Sequence, residues 1–387
     1  MKRLNLLTNA LWLLVGQWMI TSCIEPKLKL PAEEVIVDMP IVITDMDVVW
    51  SIETDWKTEW HYGWDLTDEA TWGPIDYPTP ASFEVRRYYL GEAAGGAHRR
   101  EATDGFVVIG SSFRRTYQFG YYDLLLWSNI ESESGTQVVI VDDSNVDEVT
   151  ASTTITRGMT RGDNEDAVTA LFNQPEIFYS AYPQDIYISR NFEDYDYFNE
   201  EEGVWVKRIN TTLNPLVYIY LVQVVLHHND GRIIGCTGDA ALSALASGTS
   251  VNTGHTNNKP CVVYFGMRTK LQQQVDGETV DLIGGKLTTF GLCDMEGWTT
   301  DTRSEYQGSR GELPNYLLFT LKFSNGTEKT YKYLVTEQLQ KQCHGGVITL
   351  HIDANDIPTP QPEDPGEGNL FVPTVEDYEE VIVEIPM

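Results

Sequence analysis

Residues 216–226 form a long, almost wholly apolar run. Continuous apolarity of this kind predicts a strand in a sheet covered on both faces. Around it, short runs rich in β-branched and aromatic residues recur, bounded by Gly, Asp, Asn and Ser. In the first half they fall at 82–90, 106–109, 115–119, 122–127 and 137–141. In the second half they fall at 204–208, 260–267, 287–292, 316–323, 330–335 and 346–352. Such runs predict strands. His228-Asn229-Asp230-Gly231 and Asn325-Gly326 predict hairpin turns. Helix signals are confined to a turn or two after Asp163 and to residues 336–342. The expected class is all-β, a sandwich or an open barrel.

The first residues carry a different signal. Lys2 and Arg3 precede a short apolar stretch broken by Asn9, Gly16 and Gln17. It is too short and too interrupted for a comfortable membrane span and reads as a signal peptide over 1–22. Ile20, Thr21 and Ser22 stand directly before Cys23, a pattern similar to the lipobox of bacterial lipoproteins. That resemblance implies that Cys23 is acylated and becomes the mature N-terminus. Several acyl chains on one residue hold a domain to a membrane far more firmly than one. Residues 23–43, punctuated by Pro26, Pro31 and Pro40, then read as a lipidated tether. A polar, acidic stretch at 191–203 reads as a domain boundary. The expected organisation is an N-terminal β-sandwich at 44–190 and a C-terminal one at 203–356. A linker with a terminal strand follows at 357–387, and the strand covers 375–385.

Charge narrows the partners. The chain has 27 basic and 57 acidic residues; without Lys2 and Arg3, 25 basic residues face the same 57 acidic ones, a net of −32. That balance argues against nucleic acid and against electrostatic binding to anionic lipid head groups. Apolar content is ample for a packed core, so the acidity is that of a solvated surface and not of a disordered chain. Beyond Cys23, four cysteines remain: Cys236, Cys261, Cys293 and Cys343. They are compatible with three disulfide pairings or with reduced buried thiols. No CxxC pair points to zinc.

Few residues suggest chemistry. Five of the ten tryptophans lie between residues 50 and 72. Trp56, Trp60 and Trp64, beside Asp55, Glu59 and Asp65, are candidates for stacking on sugar rings, with core packing as the alternative. Their spacing of four is not that of a strand and places some of them in a loop. His227 and His228, if both lie on a strand, point to opposite faces and do not share a metal. Acidic turns such as Asp142-Asp143 lack the spacing of a calcium loop. Arg161-Gly162-Asp163 is a triplet common enough to arise by chance. No GxSxG, HExxH or P-loop occurs. Neither an enzyme, a cofactor nor a metal is expected.

A resemblance gathers these features. Asn214-Pro215 leads into the apolar run, followed by the 228–231 turn, the small-residue segment 238–248 and Asn252-Thr253-Gly254. Together with lipobox, tether and acidic terminal strand, they resemble fimbrillin-like outer-membrane lipoproteins of Gram-negative anaerobes. The chain lacks the second cysteine and the Asp-Cys-Pro element that anchor subunits carry after the lipid cysteine. The resemblance implies two tandem transthyretin-like β-sandwich domains and a cell-surface lipoprotein of the outer membrane. It implies a role in assembling or anchoring a fimbria-like adhesive structure with other fimbrial subunits by β-strand addition. Val375, Tyr378, Val381, Val383 and Ile385 are the candidate exchanged residues. The alternative is surface glycan binding through the tryptophan cluster.

Overall fold

The β-branched runs become strands close to where their residues predict them. The computed structural model describes residues 34–43, 56–92, 104–128, 137–141, 145–156, 171–297 and 313–361. In chain order the first strands are β1 (Glu34–Ile43), β2 (Ser82–Gly91), β3 (Asp104–Ile109), β4 (Ser112–Gln118), β5 (Gly120–Ser128), β6 (Val138–Val141) and β7 (Thr150–Thr153). Short strands follow: β8 (Leu171–Phe172), β9 (Tyr179–Ala181), β10 (Ile186–Ile188), β11 (Tyr197–Asn199), β12 (Val204–Arg208) and β13 (Thr211–Pro215). The second half supplies β14 (Tyr218–His227), β15 (Ile233–Ala246), β16 (Gly248–Ser250), β17 (Pro260–Gly266) and β18 (Arg268–Val275). It continues with β19 (Glu278–Thr289), β20 (Tyr316–Phe323), β21 (Glu328–Leu334) and β22 (Gly346–Asp353). Three short helices are described: α1 (Trp56–Glu59), α2 (Leu66–Trp72) and α3 (Thr336–Lys341).

The apolar run becomes β14, an inner strand of a sheet ordered β18-β19-β14-β22. It pairs antiparallel with β19 and parallel with β22. Tyr218, Tyr220, Val222, Val224 and Leu226 face a second sheet ordered β21-β20-β15-β17-β8. Between the sheets lie Ile283, Leu287, Ile348 and Leu350 on one side and Leu242, Phe265, Phe319 and Tyr333 on the other. This is a face-to-face β-sandwich, and all these side chains are buried. Each such aliphatic or aromatic side chain is worth roughly 1.5–3 kcal/mol when removed from water. The small-residue segment 238–248 lies mostly within β15. Ala240, Ala241 and Leu242 are buried there between β17 and β20, where small side chains let neighbours close in. The pairing register with β17 shifts between Leu242 and Leu245, and Ala244 takes a positive φ of 57°.

The first half forms a ten-stranded sheet around a separate core containing Phe83, Val85, Tyr117, Leu124, Leu126, Tyr179 and Leu213. Residues 34–43, which read as the end of the tether, are a central strand here. β1 pairs with β4 along one side and with β12 and then β13 along the other. Pairing with β12 ends at Asp38 and pairing with β13 begins at Ile41. Pro40, which has no N–H to donate, sits at the switch. The acidic stretch 191–203 is also built in. It holds a 3₁₀ turn at Phe192–Asp194 and β11, which folds back on β12. β12 and β13 thus belong to the ten-stranded sheet.

The halves are stitched together. β8 pairs with β17 and β7 with β16. A third core joins Leu125, Trp127, Val149 and Phe178 to Leu216, Phe290 and Cys293. Where sheets approach closely only glycine fits: a Cβ on Gly285 would lie 2.2 Å from the Gly266 carbonyl oxygen. Gly285→Ala is therefore expected to lower unfolding free energy by about 1–3 kcal/mol in urea denaturation.

Candidate functional site

The second face of β14 carries Ile219, Leu221 and Val225, which with Leu282 and Val347 form another apolar surface. Residues 56–77, far away in sequence, cover it. Trp60 and Tyr62 are buried in this cluster, and Trp64, Trp72, Ile75 and Tyr77 pack against it half-buried. The Tyr62 ring lies where a Cβ on Gly284 would stand, 2.3 Å from its nearest atom. Trp60 meets Trp64 at 6.4 Å between centroids and Trp64 meets Trp72 at 5.8 Å, with planes inclined by 46° and 42°. Trp56 opens α1. Trp60, Trp64 and Trp72 thus form a tilted, packed stack and not a flat exposed platform, and Trp60 is part of the core.

Polar groups fix this cover in place. Gln223, fully buried on β14, accepts from the backbone N–H groups of His61 (2.9 Å) and Tyr62 (3.1 Å). Its amide donates to the Glu59 carbonyl and to Thr349 Oγ1. Asp65 caps α2 in a reciprocal capping box with Asp68. Asp68 is fully buried and pairs with Arg268 and with Lys270 Nζ at 2.9 Å. Arg268 lies over the Trp72 ring at 4.5 Å and Lys270 over Tyr62 at 4.3 Å. Burial, reinforced by the Asp68 charge, pushes the Tyr62 hydroxyl well above its ordinary range. Lys286 donates to the Pro74 carbonyl at 2.5 Å, and burial lowers its ammonium to about 8.

Histidines gather at the end of the same face. His227 Nδ1 is 3.0 Å from Glu278 Oε2, and His227 Nε2 is 3.1 Å from His351 Nδ1. His228 does not continue the strand alternation: its φ is +52°, so it turns toward Asp353 at 2.9 Å and toward Glu278 at 3.8 Å. Both adjacent histidines therefore approach one carboxylate, which the strand rule did not allow. Burial, then the charges of His227 and His61, lower the proton affinity of His351, with Asp276 opposing.

On the other sheet, β3 pairs only with β2 among the described residues. Its outer face shows Val107 and Ile109, 49% and 86% exposed. Cys236, Cys261, Cys293 and Cys343 form no disulfide among the described residues, and all but Cys236 are buried. Burial, with Cys293 adding to it, raises the Cys261 thiol far above its usual range. Cys23, the Arg-Gly-Asp triplet, and Val375, Tyr378, Val381, Val383 and Ile385 lie outside the described residues. No helix among the described residues is long and apolar enough to cross a membrane.

No protein-family model and no curated protein matches the chain. Solved structures do. A candidate adhesin from Bacteroides ovatus aligns over 86% of this chain and 94% of its own, at 14% identity and TM-score 0.48. The fimbrial anchor protein Mfa2 from Porphyromonas gingivalis aligns over 82% and 90%, at 12% identity and TM-score 0.39. A candidate polysaccharide-binding protein from Bacteroides thetaiotaomicron aligns over 82% and 90%, at 8% identity and TM-score 0.38.

The clasp makes a direct prediction. Asp68→Ala leaves Arg268 and Lys270 without their buried carboxylate, and because both bases reach solvent the loss should be about 3 kcal/mol, the lower end for breaking a buried pair. Urea titration should show it, with tryptophan emission shifting red as residues 60–72 loosen.

Proposed function

We propose that this chain is a non-enzymatic, lipid-anchored protein of the outer-membrane surface that helps assemble or anchor a fimbria-like adhesive structure. It acts by β-strand addition. The observation that carries this reading is the edge of β3. A strand paired on one side only among the described residues, with Val107 and Ile109 exposed on alternate positions, offers main-chain hydrogen bonds and side-chain anchors to an incoming strand. β1 supports the same mechanism. A segment near the N-terminus lies between β4 and strands more than 160 residues further along the chain, so these sheets complete themselves with distant segments. Burial of Trp60 removes the central ring of the glycan-binding alternative. The proposed units 44–190 and 203–356 exchange strands: β12 and β13 join the sheet of the first, as does β1 from outside both, and β8 joins a sheet of the second.

The terminal strand at 375–385 is the proposed donor, and Cys23 the membrane anchor. Cys23→Ala should move the protein from the membrane to the soluble fraction, and labelled palmitate should enter the wild-type protein and not the variant. Absence of label from the wild type ends the anchor reading. Deletion of residues 370–387 should leave thermal unfolding unchanged while abolishing incorporation into polymers with other fimbrial subunits. Unchanged incorporation rejects the donor role, and loss of folding assigns the strand to the chain's own sheet.

A further inference from the structure

The Glu278–His227–His351 chain has no part in strand addition. His227 ends β14 and His351 lies on the neighbouring parallel strand β22, so the sheet itself holds the two imidazoles together. Their rings are 5.3 Å apart between centroids and inclined by 29°. The facing nitrogens, His227 Nε2 and His351 Nδ1, are 3.1 Å apart. Two nitrogens bound to one tetrahedral zinc at about 2.0–2.1 Å would stand about 3.3 Å apart. A small rotation of each ring turns the shared proton position into a cation position. Glu278 strengthens the match. It holds His227 Nδ1 at 3.0 Å, and a carboxylate on the far nitrogen sets the tautomer that leaves Nε2 free to ligate.

We propose that His227 and His351 bind a divalent transition cation of the zinc class, with Glu278 as the positioning residue. Imidazole donors suit zinc, copper and nickel, and not calcium or magnesium. No group of three or more His, Cys, Asp or Glu side chains is arranged as a metal cage among the described residues. The protein therefore supplies two ligands and water the others, at a site where His351 is exposed. Asp353 and Glu278, with a net charge of −30 on the whole chain, raise the local cation concentration.

Zinc titrated into the full-length chain tests this, read by calorimetry and by the imidazole resonances of histidine-labelled protein. The expected result is saturable binding of one equivalent that shifts His227 and His351 and leaves His255 unmoved. His227→Ala and His351→Ala should abolish that equivalent, Glu278→Gln should weaken it by about 10- to 100-fold, and His228→Ala should leave it intact. Absence of saturable binding by the wild type overturns the proposal. So does binding of equal affinity in the His227→Ala/His351→Ala double variant, which would place the ion on the acidic surface. The wild-type resonance shifts decide the matter even if a variant folds poorly.

Discussion

Burial of β14 on both faces sets the terms for the rest of the molecule. A strand with apolar side chains on alternate faces needs two covers. The first is the opposing sheet, whose Leu242, Phe265 and Phe319 complete the main core. The second, among the described residues, is not a sheet but chiefly the segment 56–77. Short helices and a tryptophan-rich loop do the work of a layer, since large rings cover much surface with few residues.

A cover delivered from so far away needs more than apolar contact to find its register. Gln223 is the polar exception on the buried strand, and its amide is satisfied chiefly by the backbone of residues 59–62. A buried amide without partners would cost a few kcal/mol, so only a cover in this register is acceptable. Asp68 repeats the logic at the other end of the segment, where its carboxylate meets two bases on β18. Both devices favour one arrangement over others; whatever net stability they add is secondary.

The same economy shapes the surfaces. Among the described residues β3 keeps an unpaired side with exposed apolar residues, a feature that soluble sheets ordinarily blunt with charge or proline. An edge left open invites a partner strand, and it is the physical basis of the proposed assembly role. The histidine cluster arises where the covering segment, β14, β22 and the hairpin at Asp276 and Glu278 meet.

Much of this was written in neighbouring residues. The β-branched and aromatic runs at 204–208 and 316–323 gave the boundaries of β12 and β20, and Asn325-Gly326 gave the hairpin after β20, because strand and turn preferences act within a few positions. The all-β class and the double burial of residues 216–226 were equally legible. Other features were not. The polar stretch at 191–203 and the proline-marked residues 34–43 have linker composition, yet pairing with distant strands draws both into a sheet. Trp60 looks the same in sequence whether it meets sugar or core; a strand residue 162 positions from its neighbour His61 holds it down. His228 escapes strand alternation through a positive φ that no periodicity signals. The sequence by itself determined which segments could be strands, since that depends on local backbone and side-chain preference. Only the tertiary structure decided which faces were covered and which side chains met, since burial and contact depend on distant surfaces brought together.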